Sequence, residues 1–172
     1  MLKTAKTRAM STPAALSTIL PPALSDTDQE ALTDLYVRGT PPNTLRAYER
    51  DLIYITTWTH AAFGKPLAWP EREDVALRFI LDHSRDLTKA DPQDPALPAA
   101  EALIAQGLRK TLACPAPSTL DRRIASWRAF HRMKNLASPF EAPLLRQARA
   151  KARRAAAKPK APKSANPITR EV

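Results

Sequence analysis

Two stretches of this chain place hydroxyl side chains just ahead of arginines at helical spacing. The first reads Thr40-Pro41-Pro42-Asn43-Thr44-Leu45-Arg46-Ala47-Tyr48-Glu49-Arg50-Asp51-Leu52. The second reads Ser118-Thr119-Leu120-Asp121-Arg122-Arg123-Ile124-Ala125-Ser126-Trp127-Arg128-Ala129-Phe130-His131-Arg132. The chemistry such residues offer is anion recognition. Backbone N–H groups and the positive end of a helix meet a phosphate at the helix start, and nearby guanidinium groups reach phosphates or base edges. Duplex DNA is the partner these two segments point to.

The helices that must position them are legible from the apolar spacing. Leu45, Tyr48, Leu52, Ile55 and Thr59 recur on one face of a helix expected from about Asn43 to Ala62, closed by Gly64. At about 100° per residue, Arg46, Ala47, Arg50 and Thr57 lie on roughly the other side. In the second segment, expected as a helix over about Thr119–Lys134, Leu120, Ile124, Trp127 and His131 form the apolar stripe. Arg122, Ser126, Ala129 and Met133 point nearly opposite, and Arg123 and Arg128 flank the stripe. Ser118 is expected as the N-cap with Asp121 as its partner in the first turn. His131 on the apolar stripe reads as a buried, hydrogen-bonded histidine, and Trp58, Trp127 and Tyr48 read as core.

Around these two, four further helices are expected. One starts at a Ser25 cap with Asp28 at the capping-box position and ends at Gly39; Ala31, Leu32, Leu35 and Tyr36 supply its apolar positions. Another follows Trp69-Pro70-Glu71, over about Arg72–Arg85, with Val75, Leu77, Phe79, Ile80 and Leu81 toward the core. A weaker one spans about Ala99–Thr111, and a basic, Ala-rich one spans about Glu141–Ala157. Residues 88–98 are a loop by composition, and the Pro-containing insertion at 88–117 has no evident role. No β-branched run of period two occurs, so the class is all-α. One domain over residues 25–157 is expected, between a disordered tail (1–24) and a basic linker (158–172).

Composition narrows the function classes. The 172 residues carry a formal charge of +10, distributed unevenly. Residues 1–24 hold three basic groups and no acid, residues 25–100 eight basic and thirteen acidic, and residues 101–172 sixteen basic and four acidic. Such polarity suits a polyanion bound by the second half, with a solvated basic tail as the bland alternative. No apolar run approaches the roughly 18 residues of a membrane span, and the basic N-terminus lacks an apolar segment of signal-peptide type. A cytoplasmic protein without membrane contact is expected. The single Cys114, in a Pro-flanked loop, forms no intramolecular disulfide and reads as incidental. No cofactor or metal is implied.

Asn43-Thr44-Leu45-Arg46-Ala47-Tyr48, Trp58, Ser118 through Ile124 and Phe130-His131-Arg132 together resemble the N-terminal core-binding domain of tyrosine recombinases of the phage-integrase, Xer and Cre type. Lys160-Ala161-Pro162 through Pro167-Ile168-Thr169-Arg170-Glu171-Val172 resembles the joint to their catalytic domain. The resemblance implies an orthogonal, SAM-like bundle of four to five helices, forming half of a clamp on duplex DNA. It implies phosphate contacts for Thr44, Arg46, Ser118 and Arg123, and base-edge positions for Ala47 and Arg122. With the neighbours on the same faces, the DNA-binding candidates are Thr44, Arg46, Ala47, Arg50, Ser118, Thr119, Arg122, Arg123 and Ser126. Alanine at 47 offers only a methyl group, which weakens base reading there. The resemblance also implies contacts with other recombinase protomers on DNA. The His-x-x-Arg motif of the family's catalytic domain is missing from this chain, and Tyr36, Tyr48 and Tyr54 all fall in the DNA-binding half. No enzymatic activity of its own is therefore expected. A recombinase-related regulator acting through protein contacts, and a general basic nucleic-acid-coating protein, are the alternative readings.

Overall fold

Trp58, Phe79 and Trp127 stack edge to face at the centre of the molecule, with ring centroids 5.0 and 5.3 Å apart across Phe79. The computed structural model describes residues 24–157. Among the described residues six α-helices make an orthogonal bundle and there is no strand: the all-α class is as expected, with more helices than the four to five that the resemblance implies. They are α1 (Asp26–Gly39), α2 (Pro42–Phe63), α3 (Glu73–Asp82), α4 (Leu97–Ala105), α5 (Pro117–Met133) and α6 (Pro143–Ala157), with a 3-10 turn at Pro139–Glu141. The expected tail and linker lie outside the described residues, except Leu24.

The apolar stripes read from the sequence are the ones that build the core. Ile55, Trp58, Phe79, Ile124, Trp127 and Phe130 are almost completely buried. A buried aromatic of this size contributes several kcal/mol, because deleting one leaves both lost transfer energy and a void. Ser25 caps α1 as expected, accepting a hydrogen bond from the Asp28 N–H at 3.2 Å, and Gly64 closes α2 at φ 69°. Gly39 departs from expectation. It is the last helical residue and not a left-handed cap; Thr40 follows in extended geometry. α1 itself buries no residue fully. Leu32, Tyr36 and Val37 only lean on the core, and Leu35 is 55% exposed.

The start of α5 differs from the reading: Ser118 does not cap. α2 and α5 each open with a proline at the first helical position, Pro42 and Pro117, and neither has a side-chain cap. Proline is pre-organised for that position because its missing N–H is one that a helix start leaves unpaired. Thr44 and Ser118 therefore stand inside the first turn, and Asp121 is free of any capping role. Leu81, expected toward the core, is half exposed, while Ala76 is buried: the buried face of α3 is Val75, Ala76, Phe79, Ile80 and Asp82, and position 81 falls outside it.

The 88–117 insertion is ordered by its own polar groups. Asp86, Asp91 and Asp94 each accept a backbone N–H two residues on, from Thr88, Gln93 and Ala96. Arg85 holds Asp94 with two hydrogen bonds of 2.8 Å, which keeps that carboxyl far below the usual range. Arg109, 8% exposed, donates to the carbonyls of Thr111 and Ala113 and gathers the following loop. Leu87, Ala96 and Ala100 form a small second cluster, and α4 makes the broadest packing with α2. The expected helix over 99–111 is shorter because Gly107 turns the chain at φ 74°.

Candidate nucleic-acid interface

The nine candidate residues belong to α2 and α5, which pack directly on each other. Tyr48 meets Phe130 with ring centroids 5.6 Å apart, Asp51 meets Ser126, and Tyr54 meets Arg123. As α2 advances, its partners on α5 recede toward the N-terminus. The helices thus cross in opposite directions, and Thr44 and Ser118 lie at opposite ends of the contact. The two hydroxyl-bearing helix starts therefore do not lie side by side. What the pair does share is a flank. Measured by helical rotation from the Asp51–Ser126 contact, Ala47 and Arg50 on α2 and Arg122 and Ala125 on α5 turn away from the core stripes. Arg50 and Ala125 are exposed, and Ala47 and Arg122 are half-buried.

The candidates on that flank differ in availability. Arg46 and Arg50 are exposed. Among the described residues no carboxylate lies within ion-pair reach of either; Arg46 leans on the Asn43 side-chain oxygen. Arg132, near the α2 start because Phe130 touches Tyr48, is likewise exposed. Thr44 and Thr119 are half-buried, and their N–H groups bond the carbonyls of Pro41 and Ala116 at 3.0 and 2.9 Å. Ser118 is exposed.

Ser126, expected to face the nucleic acid, is not available to it. It is 4% exposed and donates its hydroxyl proton to Asp51 Oδ2 at 2.6 Å. Ala129 and Met133 on the same side are buried too, so the face expected to look outward is half interhelical contact. Arg122 ion-pairs with Asp51 Oδ1 at 2.9 Å, with its side chain 39% exposed and the carboxylate 1% exposed. The Arg123 guanidinium carbon sits over the Tyr54 ring, 3.6 Å from its centroid. Its burial lowers its pKa, and it remains a cation stacked on an aromatic face. A phosphate role for Arg123 would require leaving that ring.

Asp51, Tyr54 and Arg109 are the residues that sequence reasoning passed over. Asp51 carried one signal: a carboxylate three residues after Tyr48 on a stripe otherwise apolar. Beneath the flank, Tyr54 donates its hydroxyl proton to His83 Nε2 at 2.7 Å, while His83 Nδ1–H donates to the Phe79 carbonyl at 2.8 Å. A carbonyl can only accept, so this tautomer is the one the contacts require. Burial pushes the His83 pKa down to about 3, and Arg109 and Arg123 nearby push the same way. Burial raises the pKa of Tyr54. His131 is buried as expected, donating from Nδ1 to the Trp127 carbonyl and accepting the Glu71 N–H.

The basic run of α6 is largely committed within the protein. Arg149 and Arg153 pair with Asp121 at 3.6 and 3.0 Å, and Arg146 joins Arg128 on Glu141. Lys151 and Arg154 stay exposed. Cys114 is an exposed free thiol. It edges a cleft of about 200 Å³ between the α3 end, the α5 start and α6. Among the described residues no group of side chains could hold a metal, and no helix is long and apolar enough to cross a membrane. No family model, curated protein or solved structure matches this chain.

Proposed function

We propose that this chain is a non-catalytic, duplex-DNA-binding domain that uses the outer flank of the α2–α5 pair, of the SAM-like kind that tyrosine recombinases place ahead of their catalytic domain. The observation that carries the DNA reading is the pair of exposed arginines, Arg46 and Arg50. They stand on the α2 surface with no carboxylate partner among the described residues, whereas Asp121 and Glu141 hold four other arginines between them. Unneutralised guanidinium groups beside a half-exposed Arg122 and an exposed Arg132 suit the phosphates of a duplex, which supply most of such affinity. The recombinase assignment rests on the resemblance of the quoted motifs and the all-helical bundle around them.

In this reading Arg46, Arg50 and Arg132 neutralise phosphates, Ser118 and Thr44 add hydroxyl contacts at the two ends of the flank, and Arg122 reads a base edge. Selection from a random-sequence duplex library by the purified protein tests it. Enrichment of a short defined site is expected. Binding to every duplex alike would favour a general coating role, and no binding at low salt would remove the DNA reading.

A further inference from the structure

Asp51 is an expensive residue where it stands. Its carboxylate is 1% exposed at the crossing of two helices, and a buried charge is tolerated only when paired and hydrogen-bonded. Both oxygens are engaged: Oδ2 accepts the Ser126 hydroxyl proton at 2.6 Å, and Oδ1 faces Arg122 Nη1 at 2.9 Å. Arg123, the next residue, is held by the Tyr54 ring instead. The carboxylate therefore serves one of two adjacent arginines. Arg122 Nη1 is withdrawn from solvent and makes no hydrogen bond among the described residues, so Asp51 holds it through charge at 2.9 Å; the side chain as a whole is 39% exposed. That pair draws one end of the guanidinium inward, and part of the side chain stays open to solvent.

We propose that Asp51 is a positioning residue for base recognition. Anchored by Ser126, it holds the Arg122 guanidinium so that its outward edge meets the paired acceptors of a guanine, O6 and N7, in the major groove. Asp51 never touches the nucleic acid. A free arginine gives up much rotamer freedom on docking its fork. A guanidinium already oriented gives up less, and it faces the groove in one direction only. The proposal rests on the DNA reading above and adds to it a named base and the residue that determines its selection.

The test compares wild-type protein, Arg122→Ala, Asp51→Asn and Ser126→Ala in selection from a random duplex library, followed by titration of the selected and random duplexes. Arg122→Ala is expected to lose a guanine preference of about 5- to 150-fold at a single base pair. Asp51→Asn is expected to lose about 2- to 12-fold of preference at that same base pair and no other. It is also expected to bind random duplexes at least as tightly as wild type, since it carries one negative charge fewer. A merely structural role would weaken both duplexes together. If Asp51→Asn does not fold, Ser126→Ala reads the same base pair, with a smaller loss expected because the carboxylate keeps its charge but not its second anchor. Should the preference that Arg122→Ala relaxes stay intact in the folded variant, the positioning role is overturned while the DNA reading stands. A wild-type protein that binds every duplex alike overturns the positioning role, and one that binds no duplex at low salt overturns the DNA reading with it.

Discussion

Acidification from pH 7 to pH 5 will cost this fold about 2 kcal/mol through His83 alone. The imidazole is fully buried, with its Nδ1 proton on the Phe79 carbonyl and its Nε2 lone pair taken by Tyr54. Burial lowers its pKa to about 3, and Arg109 and Arg123 nearby push the same way; protonation would also turn the Tyr54 hydroxyl from donor to acceptor. In the unfolded chain it returns to about 6.5, and there the unfolded state binds the extra proton. Stability from this residue is thus fully present above about pH 6.5 and is lost as pH falls toward 3. At pH 5 the loss is 1.5 units at about 1.4 kcal/mol each, and it keeps that size for any folded pKa below about 4. Burial lowers the pKa of His131 as well, which adds in the same direction. Glu71 and Asp82, raised by burial, work oppositely, because their protonation favours the folded state as pH falls. Urea midpoints across this range, read from the buried Trp58 and Trp127, give the wild-type dependence. His83→Phe removes the titration but not the other groups, so its loss between pH 7 and pH 5 should be smaller by about 2 kcal/mol. An unchanged pH dependence in that variant would refute the assignment of the imidazole as a buried neutral acceptor.

Three other perturbations follow from the packing. Phe79→Ala deletes a ring in contact with Tyr54, Trp58, His83 and Trp127 and should cost about 3–5 kcal/mol in chemical denaturation. Gly107→Ala meets no atom within 4 Å, so its cost is backbone strain at φ 74° alone, expected at about 1 kcal/mol by the same measurement. Asp121→Ala frees Arg149 and Arg153 from α5; with two of the three groups a third or more exposed, the loss should be about 1 kcal/mol or less, seen as faster hydrogen exchange in α6.

The stripes Leu120/Ile124/Trp127/His131 and Tyr48/Leu52/Ile55 were readable because burial imposes helical periodicity on apolar residues whatever the topology. Ser25 and Gly64 were readable because their roles are local. The α5 start was misread because two signals compete there: Ser118 suggests a cap, but Pro117 just before it takes the first helical position and moves the boundary upstream. Ser126 and Arg122 were placed outward because rotation from one helix's own stripe says nothing about a second helix. Their partner, Asp51, lies 75 residues from Ser126 in the chain. The insertion at 88–117 reads as loop by composition; its aspartate turns are local, but the Arg85–Asp94 pair and the Leu87/Ala96/Ala100 cluster that fix it form only in the fold. For the candidate interface, Arg46 and Arg50 were legible as exposed cations; the crossing direction that separates Thr44 from Ser118 was not.

The most direct measurement is the salt dependence of duplex binding by fluorescence anisotropy, wild type against an Arg46→Ala/Arg50→Ala double variant. Both side chains are exposed and bind no carboxylate among the described residues, so thermal stability should not change. If the α2 flank neutralises phosphates, the slope of log affinity against log salt becomes shallower by about 2, one unit for each arginine, with weaker binding to all sequences. Wild-type affinity that is flat with salt, or a double variant with the parental slope, would contradict the placement of DNA on this surface.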